Sequence, residues 1–198
     1  FISGLGYTAL GQPKAWTWFN GDSASRSFDT DGRMTANEFA MYTYDPAGRI
    51  TGISQSLTAE GSGTVYLTSL SWQAGYDSRN RLTRFTRAGS ESRYTYDANS
   101  NRLTGVEQST SDTDLDGEFD ATDRSRITAQ AMNVEGASNR LLGFTQTLTT
   151  LNNGKTKSVV VTPVPYSVDA NGALTGDGLR TFEYDGANRL SRIRAPLD

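Results

Sequence analysis

The sequence predicts an all-β fold, an antiparallel meander of hairpins that forms part of a curved or spiralling sheet. Three observations predict it: a recurrent aromatic-Asp turn motif, alternation of aromatic and polar residues beside its copies, and a composition with 20 Gly, 25 Thr and 20 Ser among 198 residues. Thr favours strands, whereas Gly and Ser favour turns. No linker or change of composition divides the chain, so we expect one sheet segment over residues 1–198.

The recurrent motif reads aromatic residue, Asp, two or three variable residues, Gly or Asn, Arg, an aliphatic residue and Thr. Its copies begin at Phe28, Tyr44, Tyr76, Tyr96 and Tyr184, with degraded copies at Val134 and Val168. Asp suits the first position of a type I turn, because its carboxylate accepts a hydrogen bond from an amide two residues later. Each copy is therefore predicted to be the corner of a β-hairpin.

The position before the Arg needs a residue that tolerates a left-handed backbone, and Gly and Asn do so at little cost. We expect that conformation at Gly32, Gly48, Asn80, Gly172 and Asn188 and, where the loop is one residue longer, at Asn101 and Asn139. The Arg residues that follow are Arg33, Arg49, Arg81, Arg102, Arg140 and Arg189. A guanidinium can fork across carboxylates or carbonyls of neighbouring copies. A solvated row of Arg side chains is the alternative.

The flanks of the corners predict strands of two kinds. On the entry side, pairs such as Tyr42 and Tyr44 alternate with polar residues, which indicates a half-buried strand with its rings on one face. On the exit side, apolar residues recur three apart around Gly52, Gly105 and Gly143, which predicts a β-bulge at those glycines.

Turns of a second kind are predicted between the corners. Asn-Gly and Asp-Gly between strands are strong hairpin signals. We expect turns at Asn20-Gly21, Glu60–Gly63, Ala88–Ser90, Asn153-Gly154 and Asp177-Gly178. The meander leaves edge strands at its two ends, and such edges favour pairing with further sheet of the same or a neighbouring chain.

These motifs resemble the YD-repeat, or Rhs, family. The segments Trp16–Gly21 and Arg26–Arg33 resemble its Trp-containing unit, and the later Tyr-Asp copies resemble its other units. The resemblance implies a spiralling sheet that closes, in full-length relatives, into a hollow shell, which in bacterial members holds a C-terminal toxin. The family's C-terminal core, where aspartate-dependent autoproteolysis occurs, is not found before Asp198, so no catalytic residue is carried over.

An acidic segment over residues 112–123 matches a twelve-residue calcium loop, with Gly117 at the sharp turn. We expect side-chain oxygens from Asp112, Asp114, Asp116, Asp120 and Asp123 and the backbone carbonyl of Glu118 to bind structural Ca²⁺. Five carboxylates in one short loop repel one another unless a cation neutralises them, and calcium prefers oxygen ligands. The flanks do not read as helices, so the loop is an insertion between strands. A solvated acidic loop is the alternative.

Composition excludes several classes of function. The chain has no His and no Cys, which removes imidazole and thiolate chemistry and disulfides. Its net charge of −3 and scattered Arg and Lys residues do not indicate nucleic-acid binding. No apolar run approaches the roughly 20 residues of a membrane span. The corner carboxylates recur alike, which indicates turn capping rather than one glycosidase pair.

We therefore expect a non-enzymatic structural module of a secreted or surface protein, a sheet wall that encloses or scaffolds a toxin or partner. Two alternatives stay open. One is a self-assembling subunit, a tube or filament built by edge-strand pairing, with a homo-oligomer as its product. The other is an extracellular adhesion or glycan-binding module that uses exposed aromatic side chains.

Overall fold

The computed structural model describes residues 1–61 and 64–195, with the side chains of residues 56–69 left aside. Every regular element in the described ranges is a β-strand, so the all-β prediction is confirmed. The same ranges contain no helix that could cross a membrane. The chain divides into two compact units, Phe1–Ala88 and Gly89–Asp198.

The first unit consists of antiparallel hairpins in sequence order. Its strands are β1 (Ser3–Tyr7), β2 (Pro13–Thr17), β3 (Ser23–Ser25), β4 (Ser27–Phe28), β5 (Met34–Ala36), β6 (Ala40–Tyr44), β7 (Ile50–Gly61), β8 (Thr64–Ser69), β9 (Trp72–Tyr76) and β10 (Leu82–Arg87). The first three strands form one small sheet, and β4, β5, β6, β7, β9 and β10 follow one another in a second. β8 pairs with the far half of β7.

The second unit also consists of antiparallel hairpins in sequence order. Its strands are β11 (Ser90–Tyr96), β12 (Arg102–Ser111), β13 (Arg124–Val134), β14 (Leu141–Asn152), β15 (Lys155–Pro165), β16 (Ser167–Val168), β17 (Leu174–Gly176), β18 (Thr181–Tyr184) and β19 (Leu190–Arg194). β11 to β15 pair in sequence order, and β16 to β19 form a separate four-stranded sheet. The predicted antiparallel meander is thus confirmed in each unit.

The turns of the second kind form where the sequence predicts them. Positive φ angles occur at Gly21, Gly89, Asn153, Gly154 and Gly178. The segment Glu60–Gly63 lies partly outside the described residues. Gly and Asn are required here because a positive φ is costly for residues with a branched or bulky Cβ.

The predicted β-bulge at Gly52 is wrong by one residue. Thr43 lies opposite Gly52 and Tyr44 lies opposite Ile50, so Thr51 is the additional residue. Gly52 serves a different purpose, since a Cβ at this position would lie 2.8 Å from the Oγ1 atom of Thr43. A glycine lets the two strands approach each other at that point.

The bulge predicted at Gly105 is also misplaced, because Gly105 is paired with Tyr94 and the additional residue is Leu103. In both hairpins the tight corner fixes the first pair, so the shift in register follows the corner directly. The third shift falls between Leu141 and Phe144, a stretch that includes Gly143 with a φ of 127°.

The sheets carry half-buried rings and little buried core. In β6 the side chains of Tyr42 and Tyr44 are half-buried while Thr43 is exposed, which confirms the predicted alternation. Among the described residues, the buried hydrophobic side chains are those of Trp16, Ala24 and Ala40. The sheet faces are therefore incompletely covered by the described part of the chain.

Candidate functional sites: the repeated corners and the acidic loop

The corner at Asp45 shows how each copy of the motif closes. The Asp45 amide donates to the Arg49 carbonyl at 3.0 Å, and Gly48, with φ of 80°, donates to the Asp45 carbonyl at 2.9 Å. Oδ1 of Asp45 accepts from the amides of Ala47 and Arg49 at 2.9 and 3.0 Å. Oδ2 accepts from Nε of Arg49 at 2.6 Å. The carboxylate thus caps the turn with one oxygen and fixes the Arg with the other.

The other corners repeat this pattern. Oδ1 accepts from two backbone amides at Asp29, Asp77, Asp169 and Asp185. Oδ2 accepts from the Arg Nε of the same corner in the pairs Asp29–Arg33, Asp77–Arg81 and Asp185–Arg189. The residues expected to be left-handed, Gly32, Gly48, Asn80, Gly172 and Asn188, all have positive φ. Local turn chemistry therefore determines the corners, as predicted.

The corner after Tyr96 corrects one expectation. The left-handed residue is Ser100, with φ of 74°, and not Asn101. Asn101 occupies the place of the Arg, and its Nδ2 donates to Oδ2 of Asp97 at 2.8 Å. The turn has the ordinary length, so the extra residue moves Arg102 onto the strand, where it lies over the Tyr94 ring at 5.7 Å.

The corner at Glu135 is the longer one. The Glu135 amide donates to the Arg140 carbonyl, and Asn139 has the expected positive φ of 58°. The Glu135 carboxylate bonds Ser138 and Arg140. A longer acidic side chain spans a loop with one more residue.

Sequence reasoning missed the corner at residues 7–13. Its backbone pattern is the same: Thr8 donates to the Gln12 carbonyl at 2.8 Å, and Gly11 has φ of 80°. Thr8 replaces the Asp, and its Oγ1 accepts from the Gln12 amide at 3.1 Å. Gln12 replaces the Arg. The spacing of Tyr7 and Gly11 is the signal that could have found it.

Neighbouring corners contact each other through the Arg of one and the Tyr of the next. The guanidinium of Arg33 lies over the Tyr44 ring, and that of Arg49 lies over the Tyr76 ring, each at 5.0 Å. Nη1 of Arg49 also donates to the Asp77 carbonyl at 2.8 Å. The predicted fork between copies is therefore present at Arg49.

The Tyr hydroxyl completes the same contact. Tyr44 donates to the Met34 carbonyl at 2.7 Å, and Tyr76 donates to the Ile50 carbonyl at 3.1 Å. Tyr184 donates to the Leu174 carbonyl at 2.9 Å. In each case the acceptor is the residue directly after the last residue of the preceding corner. Where the corner ends in an Arg, as at Arg33 and Arg49, we call this place, the Arg face together with that carbonyl, the Tyr socket. Ala173 stands in that position before Leu174.

The corners follow one another in a constant register. We call the residue directly before the Asp, Glu or Thr that opens a corner the entry residue, as Tyr44 is before Asp45. We call the residue whose carbonyl accepts from the amide of that Asp, Glu or Thr the exit residue, as Arg49 does for Asp45. The residue three positions after an exit residue lies opposite the residue three positions before the next entry residue. The pairs are Ala15–Ser25, Ala36–Met41, Gly52–Gln73, Thr104–Ala131, Gly143–Pro165 and Gly176–Thr181.

The corner carboxylates are held in their charged form. The pKa of Asp77 is lowered because its carboxylate accepts from the Arg81 amide and, further, from the Arg81 side chain and the Arg79 amide. The pKa of Asp185 is lowered by the equivalent bonds from Arg189. Hydrogen bonds to the ionised form lower a carboxyl pKa.

The acidic loop brings three of its predicted ligands together. Carboxylate oxygens of Asp112, Asp114 and Asp116 lie within 4.8 Å of one another. Asp112 accepts from the amides of Leu115 at 2.6 Å and Gly117 at 3.0 Å. Gly117 has φ of 87°, as the sharp turn requires. The loop therefore presents three converging carboxylates on a backbone that they help to fold.

The remaining predicted ligands have different surroundings. Asp123 is 2% exposed, and its carboxylate accepts from the amides of Thr113 and Asp120 at 2.5 and 3.2 Å, which closes the loop. Asp120 accepts from the amide and hydroxyl of Thr122, and the hydroxyl bond first, then the amide bond, lowers the pKa of Asp120. Glu118 is exposed and donates its amide to Asp116.

No family model and no curated relative matches the chain. It is similar to parts of solved structures described as TcdB2-TccC3-Cdc42, TcdB2-TccC3-TEV and TcdB2-TccC3. The first two are 13% identical over 93% of this chain, with TM-scores of 0.38 and 0.42. The third is 9% identical over 98% of it, with a TM-score of 0.25. The chain spans 11%, 10% and 16% of those chains.

The remaining candidates for chemistry are the corner carboxylates and a groove lined by aromatic side chains. The five carboxylates considered as a glycosidase pair each bond within their own corner; they are Asp29, Asp45, Asp77, Asp97 and Asp185. An open groove of about 660 Å³ in the first unit is lined by Tyr42, Ile53, Trp72 and Arg87, among others. The Trp72 ring packs against Phe85 with 5.5 Å between centroids.

Proposed function

We propose that this chain is a non-enzymatic structural module, a stretch of sheet wall in a secreted or surface protein of the YD-repeat type. In this role it encloses or scaffolds a toxin or another partner. The observation that carries the proposal is the uniform use of the corner carboxylates. Five of them cap their own turn and also position a side chain of that turn, as Asp45 does with Arg49; they are Asp29, Asp45, Asp77, Asp97 and Asp185. A catalytic pair needs two carboxyls in contrasting environments, whereas a wall needs identical joints.

The distribution of apolar side chains supports the same role. Three buried hydrophobic side chains among the described residues are few for a chain of this length, and many large apolar side chains are exposed. Exposed apolar surface beyond scattered single residues marks a contact with another part of the protein or with a partner. A wall segment meets that requirement, because neighbouring segments and the enclosed partner cover its faces.

Calcium belongs to this proposal as a structural ion. Asp112, Asp114 and Asp116 supply converging oxygens, and calcium binds such oxygen sets. Bound calcium would offset their mutual repulsion and fix the loop between β12 and β13. Extracellular calcium sites bind at roughly 10⁻⁴ to 10⁻³ M, which is consistent with a secreted or surface location.

The experiment that tests the wall is electron microscopy of the complete polypeptide that contains this chain, combined with trypsin digestion. We expect an enclosed volume and a protected partner inside it. A double variant that replaces Asp45 and Asp77 by Ala should expose the partner to trypsin, whereas Glu38→Gln, at an exposed residue, should not. A particle without an enclosed volume would contradict the proposal.

Self-assembly is the second candidate, and the exposure of β15 favours it. Val159, Val160 and Val161 are 55%, 53% and 59% exposed, and β15 is at the end of its strand order. A long apolar edge strand is a template for pairing with another chain.

A further inference from the structure

The last corner, at Tyr184–Leu190, presents a Tyr socket like those that Arg33 and Arg49 form in the first unit. Arg189 is fixed as the other Arg residues are, with its Nε donating to Oδ2 of Asp185 at 2.9 Å. Its backbone closes the same turn, because the Asp185 amide donates to the Arg189 carbonyl at 2.9 Å. The socket is therefore already formed before any partner arrives, which lowers the entropy cost of binding.

In contrast to the inner sockets, this one is open to solvent. The side chain of Arg189 is 79% exposed, against 32% for Arg33 and 25% for Arg49, which lie under Tyr rings. All residues of β19 are exposed, and Leu190 and Ile193 are 51% and 52% exposed. Within the part of the chain that the structure describes, no strand pairs with the outer edge of β19.

We infer that β19 and Arg189 bind a further entry strand of the same repeat, an extended segment that carries a Tyr directly before an acidic corner. Its Tyr ring lies on the Arg189 guanidinium, its hydroxyl donates to the Leu190 carbonyl, and its backbone pairs antiparallel with β19. The inference rests on the proposed structural role, since it names how the wall is extended.

The chemistry of the socket selects this occupant. Arg favours an aromatic face, and a carbonyl beside it requires a donor, so Tyr satisfies the whole socket and Phe only part of it. The strand edge supplies backbone hydrogen bonds, which give affinity to an added strand, while the socket gives specificity.

The constant register also predicts where the strand lies. In six junctions the residue three positions after the exit residue faces the residue three positions before the next entry residue. After Arg189 that position is Arg192. The residue three positions before the incoming Tyr should therefore lie opposite Arg192, with its Cβ within about 4.5–5.5 Å.

Disulfide trapping tests this register directly, because the chain has no Cys of its own. The chain with Arg192→Cys is mixed with a synthetic peptide of residues 38–46 in a glutathione buffer. In this peptide Met41, which lies three positions before Tyr44, is replaced by Cys. Matched peptides carry Ala40→Cys, on the opposite face, or Thr43→Cys, one pair further along. We expect the Met41→Cys peptide to give about tenfold more mixed disulfide than either, since bridging requires Cα atoms within about 7 Å.

Two changes examine the socket itself. Arg189→Ala in the chain and Tyr44→Phe in the peptide should each lower the trapped yield several-fold, through loss of the ring contact or of the hydroxyl bond. Arg194→Ala is the matched control, because Arg194 is 59% exposed on the same strand and outside the socket. It should leave the yield unchanged.

Equal yields from the three peptides, or a yield that Arg189→Ala does not alter, would overturn the inference. The trapping assay uses this chain alone and does not depend on an enclosed volume. If trapping fails but electron microscopy shows an enclosed volume, only the binding of a strand at the socket is rejected. If trapping is specific but electron microscopy shows no enclosed volume, the shell is rejected and the binding at the socket is retained. Circular dichroism of each variant confirms that it is folded.

Discussion

At five corners one carboxylate performs two tasks with two different oxygens. At Asp45 one oxygen caps backbone amides and the other holds Arg49. The length of the acidic side chain matters, since the longer corner uses Glu135 where the shorter ones use Asp or Thr. The Arg held in this way then provides a flat cation for the ring of the next corner. A single residue type thus links turn formation to the packing of consecutive hairpins.

Replacement of Asp45 should separate these two tasks. Asp45→Asn retains an oxygen that accepts the amide bonds and loses the charge that holds Arg49, whereas Asp45→Ala loses both. We expect the Tm to fall by about 2–4 °C for Asn and by more for Ala. Thermal unfolding followed by circular dichroism measures this, with Glu38→Gln as the control. Equal Tm values for Asp45→Ala and Glu38→Gln would show that the cap is dispensable.

The Tyr hydroxyl makes a separate contribution. Tyr76→Phe keeps the ring on Arg49 and removes the bond to the Ile50 carbonyl, which leaves that acceptor without its donor. We expect a fall in Tm of about 2–4 °C. Tyr94→Phe is the control, because Arg102 lies over the Tyr94 ring and the Tyr94 hydroxyl makes no hydrogen bond to the residues that the structure describes. The two variants should differ in differential scanning calorimetry, and identical unfolding curves would argue against the hydroxyl bond.

At the scale of elements, the loop between β12 and β13 contains two kinds of carboxylate: one that is buried and three that are exposed or half-buried. Asp123 is buried and closes the loop through backbone amides. Asp112, Asp114 and Asp116 converge at its surface. The two groups should therefore respond differently to calcium, although the sequence motif treats them as one set of ligands.

Calcium titration distinguishes the two groups. For the unmodified chain we expect a rise in Tm with millimolar calcium and a measurable binding heat, both removed by chelator. Asp114→Asn should lose most of the calcium response with little change in the Tm measured in chelator. Asp123→Asn should lower the Tm in chelator as well, because it weakens the bonds that close the loop. A Tm that chelator leaves unchanged, together with no heat of binding, would show that the loop is only a solvated acidic segment.

Across the whole molecule, the sequence predicted what is decided within a few consecutive residues. Turn chemistry placed the left-handed residues at Gly48 and Asn188, and alternation placed the strands. It failed at Asn101, because the prediction counted from the Arg, whereas this turn closes on the same number of residues as the turn at Asp45. It also could not show that Arg49 lies over Tyr76, since that contact depends on pairing between strands far apart in the chain.

The acid stability of the whole chain should reflect its corners. The pKa values of Asp45, Asp77 and Asp185 are lowered in the folded state, so the unfolded chain binds more protons between the lowered pKa and the ordinary value of about 3.9. Their stabilisation is complete above that ordinary value and is lost as the pH falls through the lowered pKa. We expect a Tm that is flat above about pH 5 and falls below pH 4. Asp45→Asn should show a smaller acid loss, and a Tm that rises on acidification would contradict this assignment.

The edge strand β15 determines whether free chains associate. Pro163 and Pro165 lack an amide donor, and prolines within sheets are tolerated where their nitrogen faces outward. The unprotected stretch of the edge is therefore the exposed segment at Val159–Val161.

If this edge pairs with a second chain, the mass measured by light scattering should increase with concentration. Val160→Lys should shift the chain toward the monomer, because charge on an edge opposes pairing. Thr145→Lys, at an exposed position on the inner strand β14, should leave the association unchanged. A strict monomer at the highest concentrations would remove the self-assembling alternative.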